Sequence, residues 1–377
     1  MFRSSQNARS NPSPRPQFRA GLALTEIVLI VLVPAFGLMA WALLDSEFQR
    51  GLLAGPKRDL MSVNPVYDAV NMENNTVLTV QGQGQLRIWD LKQSVMLGEM
   101  QSHLNEVRCV DYSSQGRLVA VGSAMGKVEI WDMEQPDSPI TSDDSDLQEV
   151  SVCLFTSDGE MLLTAGEDGQ IILWNPRTLE RLGTLTAPVP EEATRTEAIR
   201  SLGVSKDDKL VIAGTHSGLV QIWDLEQRKL LHTHRIGVRR LRPEAAVESV
   251  NFLSGNQSFI CSTRNEGVSI WSVGSGARIQ KFAGALKGVR SGVFSQDEKT
   301  FVVGNEAGEV VIWDLATGNR FTSVKRHGTI VRSLATSPDG KVLLGGDWDG
   351  RVQFHTEWAP SVATEVNEKT VSSASPL

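Results

Sequence analysis

The sequence predicts an all-β protein in which seven copies of one short sheet close into a ring, preceded by a single apolar helix. Two observations carry the ring. One phrase recurs along the chain as LRIWDL, VEIWDM, IILWNP, VQIWDL, VSIWSV, VVIWDL and, degenerate, VQFHTE. Between its copies lie short runs rich in Val, Ile and Leu, bounded by Gly, Asp, Asn or Ser, the pattern of strands and tight turns. A third observation carries the helix. The run from Ile27 to Leu44 holds no charge. At about 1.5 Å per residue it reaches roughly 27 Å, close to the thickness of a hydrocarbon core.

The repeat fixes the register of the copies. Its aromatic landmarks are Trp89, Trp131, Trp174, Trp223, Trp271 and Trp313, with His355 in the seventh slot, and the spacing between them runs from 42 to 49 residues. The third copy reads as strand VSVCLFT, turn SDGE, strand MLLTAG, turn EDGQ and strand IILWN. Gly84, Gly126, Gly169, Gly218, Gly308 and Gly350 stand at one fixed place before the landmark, where a tight turn needs positive φ. The fifth copy has Glu266 there and Gly267 one place later, so its turn is expected to differ. A small sheet buries both faces only against neighbours, so the copies must stack, and in a ring they leave only short edges.

A period in the low-to-mid forties ending in Trp-Asp resembles the WD-repeat family. The resemblance covers 62–356 and implies a seven-bladed β-propeller. It also implies ring closure by an outer strand borrowed from the other terminus; Lys57 to Val63 and Pro360 to Val366 both remain open for that role. The family often ties a blade together with a His, Ser/Thr, Asp and Trp hydrogen-bond set. Here Asp168 and Asp349 match the turn Asp, and His103 and His327 are the candidates for the His. With so few, stability is expected to rest mainly on packing.

The N-terminal run is expected to span a membrane once, with Pro34 tolerated as a kink. Arg3, Arg9, Arg15 and Arg19 precede it with no acidic residue, whereas the charges after it are mixed. That bias predicts a cytoplasmic N-terminus and a propeller on the outer side, periplasmic in a bacterium. The expected organisation is a disordered cytoplasmic tail (1–20), a transmembrane helix (21–44), a linker (45–61), the propeller (62–356) and a partly disordered tail (357–377). A signal-anchor is favoured over a cleavable signal peptide, whose small-x-small site would be Ala40-Trp41-Ala42. Residues 19–33 also resemble a type IV prepilin-like leader. Gly21 matches the residue before the cut, Leu22 the first mature residue and Glu26 the fifth-position glutamate. That resemblance implies a subunit of a pilin-like or secretion assembly.

Composition narrows the function. Hydrophobic residues make up 41% of the 377, which places the chain among globular proteins. Lys and Arg number 37 against 44 Asp and Glu, a formal charge of −7, which argues against nucleic-acid binding. Cys109, Cys153 and Cys261 lack metal or disulfide spacing and read as core residues. His232 and His234 form an H-x-H pair without a visible third ligand, and Asp143, Asp144 and Asp146 lack the frame of a calcium loop. No nucleophile elbow, phosphate loop, zinc motif or complete dinucleotide fingerprint occurs.

The expected function is therefore a membrane-anchored, non-catalytic scaffold that binds proteins, without cofactor, metal or small-molecule substrate. The alternative is a propeller enzyme or ligand sensor using the channel mouth. Aligning the first strands brings Arg108, Arg200, Arg290 and Arg332 into one register, with Asp68, Ser151 and Glu248 in the other copies. The resemblance places that register at the top-face mouth of the channel. A long insertion adds Arg235, Arg239, Arg240 and Arg242, and the turn GDWDG offers Trp348 as an aromatic anchor. These residues form the candidate partner-binding face, and an acidic protein segment is the expected partner.

Overall fold

The computed structural model describes residues 64–142, 148–188, 197–236, 246–282, 288–295, 298–325, 327–337 and 341–355. Seven antiparallel sheets follow one another along the chain, each with its strands in sequence order. Six have four strands and the seventh has three among the described residues. The innermost strands of blades 1 to 7 are Val66–Asn71, Val107–Ser113, Val150–Phe155, Ile199–Val204, Val247–Phe252, Val289–Phe294 and Val331–Thr336. Each lies beside the next, and the last lies beside the first. Both segments considered for ring closure, and the expected membrane helix with Gly21 and Glu26, lie outside the described residues. Among the described residues no helix is long and apolar enough to cross a membrane.

The cores sit between blades rather than within them. Every interface has one apolar cluster, seven in all, and the last joins Val66, Val77, Trp89 and Leu91 of blade 1 to Ala335, Val342, Leu344 and Val352 of blade 7. This follows from the sequence period. The second and third strands of each sheet are apolar on both faces, as in LVAVGS and VEIWD, so each face needs a neighbour.

Glycines at the end of the second strand set the approach between blades. A Cβ on Gly122 would come within 2.5 Å of Val150 in the next blade, and one on Gly214 within 2.6 Å of Val247. Gly304 stands likewise against Val331, and Gly346 against Val66, where the ring closes. The turn glycines expected at positive φ have it, from 70° at Gly169 to 85° at Gly218. In the fifth blade the left-handed residue is Gly267 at 75°, one place later, as its sequence implies.

The landmark tryptophans are buried and mostly anchored within their own blade. The indoles of Trp89 and Trp174 each donate to a threonine hydroxyl one strand away, Thr79 and Thr164, at 2.8 Å. Trp271 donates to Ser269 at 2.7 Å. Blade 2 uses a fully buried carboxylate instead. Glu129 accepts from Ser102 Oγ at 2.5 Å and Trp131 Nε1 at 3.0 Å, and faces His103 Nδ1 at 2.8 Å. In blade 7 the partner of His327 is Asp347 at 3.1 Å, not the expected Asp349, whose backbone N–H donates to Asp347. Asp168 caps its own turn through the Gln170 amide. The reason is geometric: Asp347 ends a strand inside the blade, whereas Asp349 sits in the exposed turn beyond it.

The close approach at Gly346 yields a prediction. Gly346→Ala must displace Val66 or Ser333 and should cost about 1–3 kcal/mol of stability. Gly274→Ala, in open space, should change the thermal midpoint far less. Equal midpoints for the two variants would show that ring closure tolerates a wider gap.

Candidate functional site

The channel mouth is built by a defect repeated seven times. In every innermost strand the pairing skips the second residue, leaving a β-bulge. The first residue of each strand is buried against the preceding blade. The bulge turns the second out of the ladder toward the channel. The bulged residues are Tyr67, Arg108, Ser151, Arg200, Glu248, Arg290 and Arg332, and all line one cavity of about 690 Å³. The register expected from sequence holds in six blades. In blade 1 the bulged residue is Tyr67 rather than Asp68, because Val66 is the buried first residue.

Five of the candidate binding residues therefore meet at one mouth: Arg108, Arg200, Arg290, Arg332 and Trp348. Arg235 does not line it and instead donates weakly to the Ser217 carbonyl at 3.5 Å. Arg239, Arg240 and Arg242, with Asp143, Asp144 and Asp146, lie outside the described residues.

Three of the four register arginines are paired with glutamate. Arg200 meets Glu167 at 2.8 Å, and Arg108 reaches Glu106 at 3.4 Å and Glu149 at 3.7 Å. Arg290 bonds Glu306 at 2.6 Å and Glu248 at 3.5 Å, and Glu248 also accepts from Arg264 at 2.5 Å. Arg332 has no carboxylate within ion-pair distance among the described residues. Its guanidinium sits 4.9 Å from the Tyr67 ring and 5.1 Å from the Trp348 ring, while Arg108 stacks on Tyr67 at 4.5 Å. The two rings meet edge to face at 6.2 Å, and Trp348 is 43% exposed. Sequence reasoning missed Tyr67, Arg264 and three of the pairing glutamates, Glu106, Glu167 and Glu306. The first of these is legible once Val66 is aligned with Val107 and Val150.

Below the mouth two half-buried aspartates stitch neighbouring blades. Asp68 accepts from the Val110 amide of blade 2 at 3.1 Å and from Ala69 at 2.9 Å. Asp111 accepts from the Phe155 amide of blade 3 at 2.7 Å. Hydroxyls do comparable work elsewhere, Ser201 to the Val247 carbonyl at 3.0 Å and Thr336 to the Phe294 carbonyl at 3.1 Å. Burial pushes the Asp68 carboxyl up to about 6, against the pull of its two amides and of Arg332. Burial raises Asp111 to about 7, with the Phe155 and Tyr112 amides opposing and Asp68 adding to the rise.

Burial lowers the His216 pKa, and Arg200 and Arg264 add to the effect. Cys109, Cys153 and Cys261 are buried, and burial pushes the Cys261 thiol up to about 12. His232 and His234 stack at 5.5 Å on the outer strand of blade 4, where His234 Nε2 contacts the Val273 carbonyl at 2.7 Å.

The WD domain, G-beta repeat family matches residues 94–132 and 318–355. The nucleolar protein 10-like N-terminal domain, itself a β-propeller, matches 137–292. These matches support a WD-repeat propeller. The chain is 25% identical over 271 residues to periodic tryptophan protein 2 of Arabidopsis thaliana, covering 68% of this chain and 28% of that one. The propeller is also 24% identical over 315 residues to the guanine nucleotide-binding protein subunit beta of Oryza sativa subsp. japonica, 76% of this chain and 78% of that one. Eukaryotic translation initiation factor 3 subunit I of Culex quinquefasciatus is 24% identical over 236 residues, 58% and 68%.

The half-buried aspartates give the propeller a testable pH response. A carboxyl whose pKa is raised by folding holds its proton more tightly in the folded state. Its stabilising contribution is complete below about pH 4 and is lost as pH rises through 6 for Asp68 and 7 for Asp111. The lowered His216 works in the opposite direction near its ordinary 6.5. Asp111→Asn, which keeps the acceptor for Phe155, should gain thermal stability relative to the parent as pH rises from 5 to 8. Parallel midpoint curves for the two proteins would show that Asp111 titrates normally.

Proposed function

We propose that the chain is a non-catalytic WD-repeat scaffold, tethered to a membrane by residues 27–44, whose channel mouth docks an acidic segment of a partner protein. The observation that carries this reading is the convergence of seven bulged residues, mostly charged, on one cavity beside the exposed Trp348. A rigid rim of arginine and aromatic side chains suits partner recognition. Two of the similar proteins are named as subunits of assemblies, which favours a binding role over an enzymatic one. The uncharged run from Ile27 to Leu44 and the unopposed arginines before it favour a cytoplasmic N-terminus and an external propeller.

Each part has its own test. Trp348→Ala combined with Arg239→Glu and Arg240→Glu should remove the main co-purifying chain from detergent-extracted protein without unfolding the propeller. Arg177→Glu, in the turn after Trp174, should leave it in place. Retention of the partner by the triple variant would move the docking face elsewhere. For topology, protease added to cells with a permeabilised outer layer should digest a C-terminal tag, and protection until lysis would reverse the orientation. N-terminal sequencing decides processing: Met1 or Phe2 for an anchor, Leu22 for a prepilin-like cut, Leu43 for a signal peptide.

A further inference from the structure

Five arginines line the mouth, Arg108, Arg200, Arg264, Arg290 and Arg332, and five glutamates pair with the first four, of which Glu149 and Glu248 also line the cavity. The pairing is uneven. Four arginines take all five glutamates. Arg332 is left with two aromatic faces, and no hydrogen bond or ion pair engages its donors among the described residues. Asp68 lies within its electrostatic reach, but both Asp68 oxygens accept from backbone amides, those of Ala69 and Val110.

A guanidinium set in the corner of two rings that meet edge to face is held by their faces while its donors stay unengaged among the described residues. It is partly stripped of water, and a new carboxylate need not immobilise a flexible chain. Desolvation is visible as a lowered pKa for Arg332. A fork of this kind matches a carboxylate with two parallel hydrogen bonds.

We propose that Arg332, clamped by Tyr67 and Trp348, is the anchor of the docking face and seats one aspartate or glutamate side chain of an extended partner segment. This deepens the scaffold reading above and rests on it. One charge is specified rather than two. A dianionic phosphate would meet a single unpaired guanidinium beside the carboxylates of Glu149 and Glu248, and sites for phosphorylated side chains gather several unpaired cations. The exposed indole of Trp348, which lines the same cavity, offers apolar support for residues flanking the acid. The specificity is therefore for a short acidic motif with apolar neighbours.

The test uses the full chain in detergent and a twelve-residue probe alternating Leu and Glu, with a Gln-for-Glu probe and a phosphoserine-for-Glu probe as comparisons. The Glu probe should bind, and Arg332→Gln should weaken it about ten- to a hundred-fold, the worth of a lost charge-assisted pair. Arg332→Lys should recover only part, because the point charge remains without the fork. Thermal midpoints of both variants identify any loss caused by unfolding, and Trp348→Phe, which keeps a ring over the guanidinium, should bind within a few-fold of the parent. No binding of the Glu probe, equal binding by Arg332→Gln, or tighter binding of the phosphoserine probe would each overturn the assignment. If Arg332→Gln binds like the parent while Trp348→Ala with Arg239→Glu and Arg240→Glu still loses its partner, the anchor is wrong and the docking face stands. If that triple variant also keeps its partner, the docking face falls with it.

Discussion

Everything in this propeller depends on the contact between the first residue of each innermost strand and the blade before it. A four-stranded sheet with apolar side chains on both faces has no stable existence in water on its own. Here the covering is supplied by a buried Val or Ile at one fixed position, Val66, Val107, Val150, Ile199, Val247, Val289 and Val331. In four interfaces the preceding blade supplies a glycine to receive it: Gly122, Gly214, Gly304 and Gly346. At these four interfaces a Cβ on the glycine would come within 2.4 to 2.6 Å of the Val side chain, so any larger residue there must push the neighbouring blade away. The angle between blades, and hence the number that closes the ring, is set partly by this pairing.

The same contact produces the site. Burying the first residue against the neighbour while the rest of the strand pairs with its own sheet forces one extra residue out of the ladder. The bulge is thus a structural consequence of stacking, present in all seven blades whatever side chain occupies it. Backbone geometry aims seven side chains at one cavity, and sequence is free to choose their chemistry. That freedom explains how a fold fixed by apolar packing can carry a charged, aromatic rim.

The division between what was legible and what was not follows this logic. The repeat period, the turn glycines and the alternation of apolar runs read directly into blades, because each copy obeys the same local rules. The arginine register was legible for the same reason, and failed only in blade 1, where Tyr67 and Asp68 both fit a polar slot and the buried Val66 decides between them. Pairings across blades were not legible. Glu248 with Arg264 and Arg290, or Asp111 with the Phe155 amide, join residues whose spacing follows no motif. The partner of His327 was misplaced by two residues because Asp347 and Asp349 flank one turn, and only the pleat decides which faces inward.

Charge at the mouth then has a simple physical reading. Arginines crowded around one channel would repel one another in the absence of counter-charges. Glutamates from loops, turns and the innermost strand of blade 5 offset this for Arg108, Arg200 and Arg290, at distances of 2.6 to 3.7 Å. For Arg332 the rings of Tyr67 and Trp348 take that place. An aromatic face stabilises a cation without neutralising it, so the positive charge persists where a glutamate would have cancelled it. Tyr67 is also the one aromatic among the seven bulged residues, and it stacks on Arg108 as well as Arg332. Blade 1 therefore differs from the other six at the very position that gives Arg332 an aromatic face where its neighbours have a glutamate.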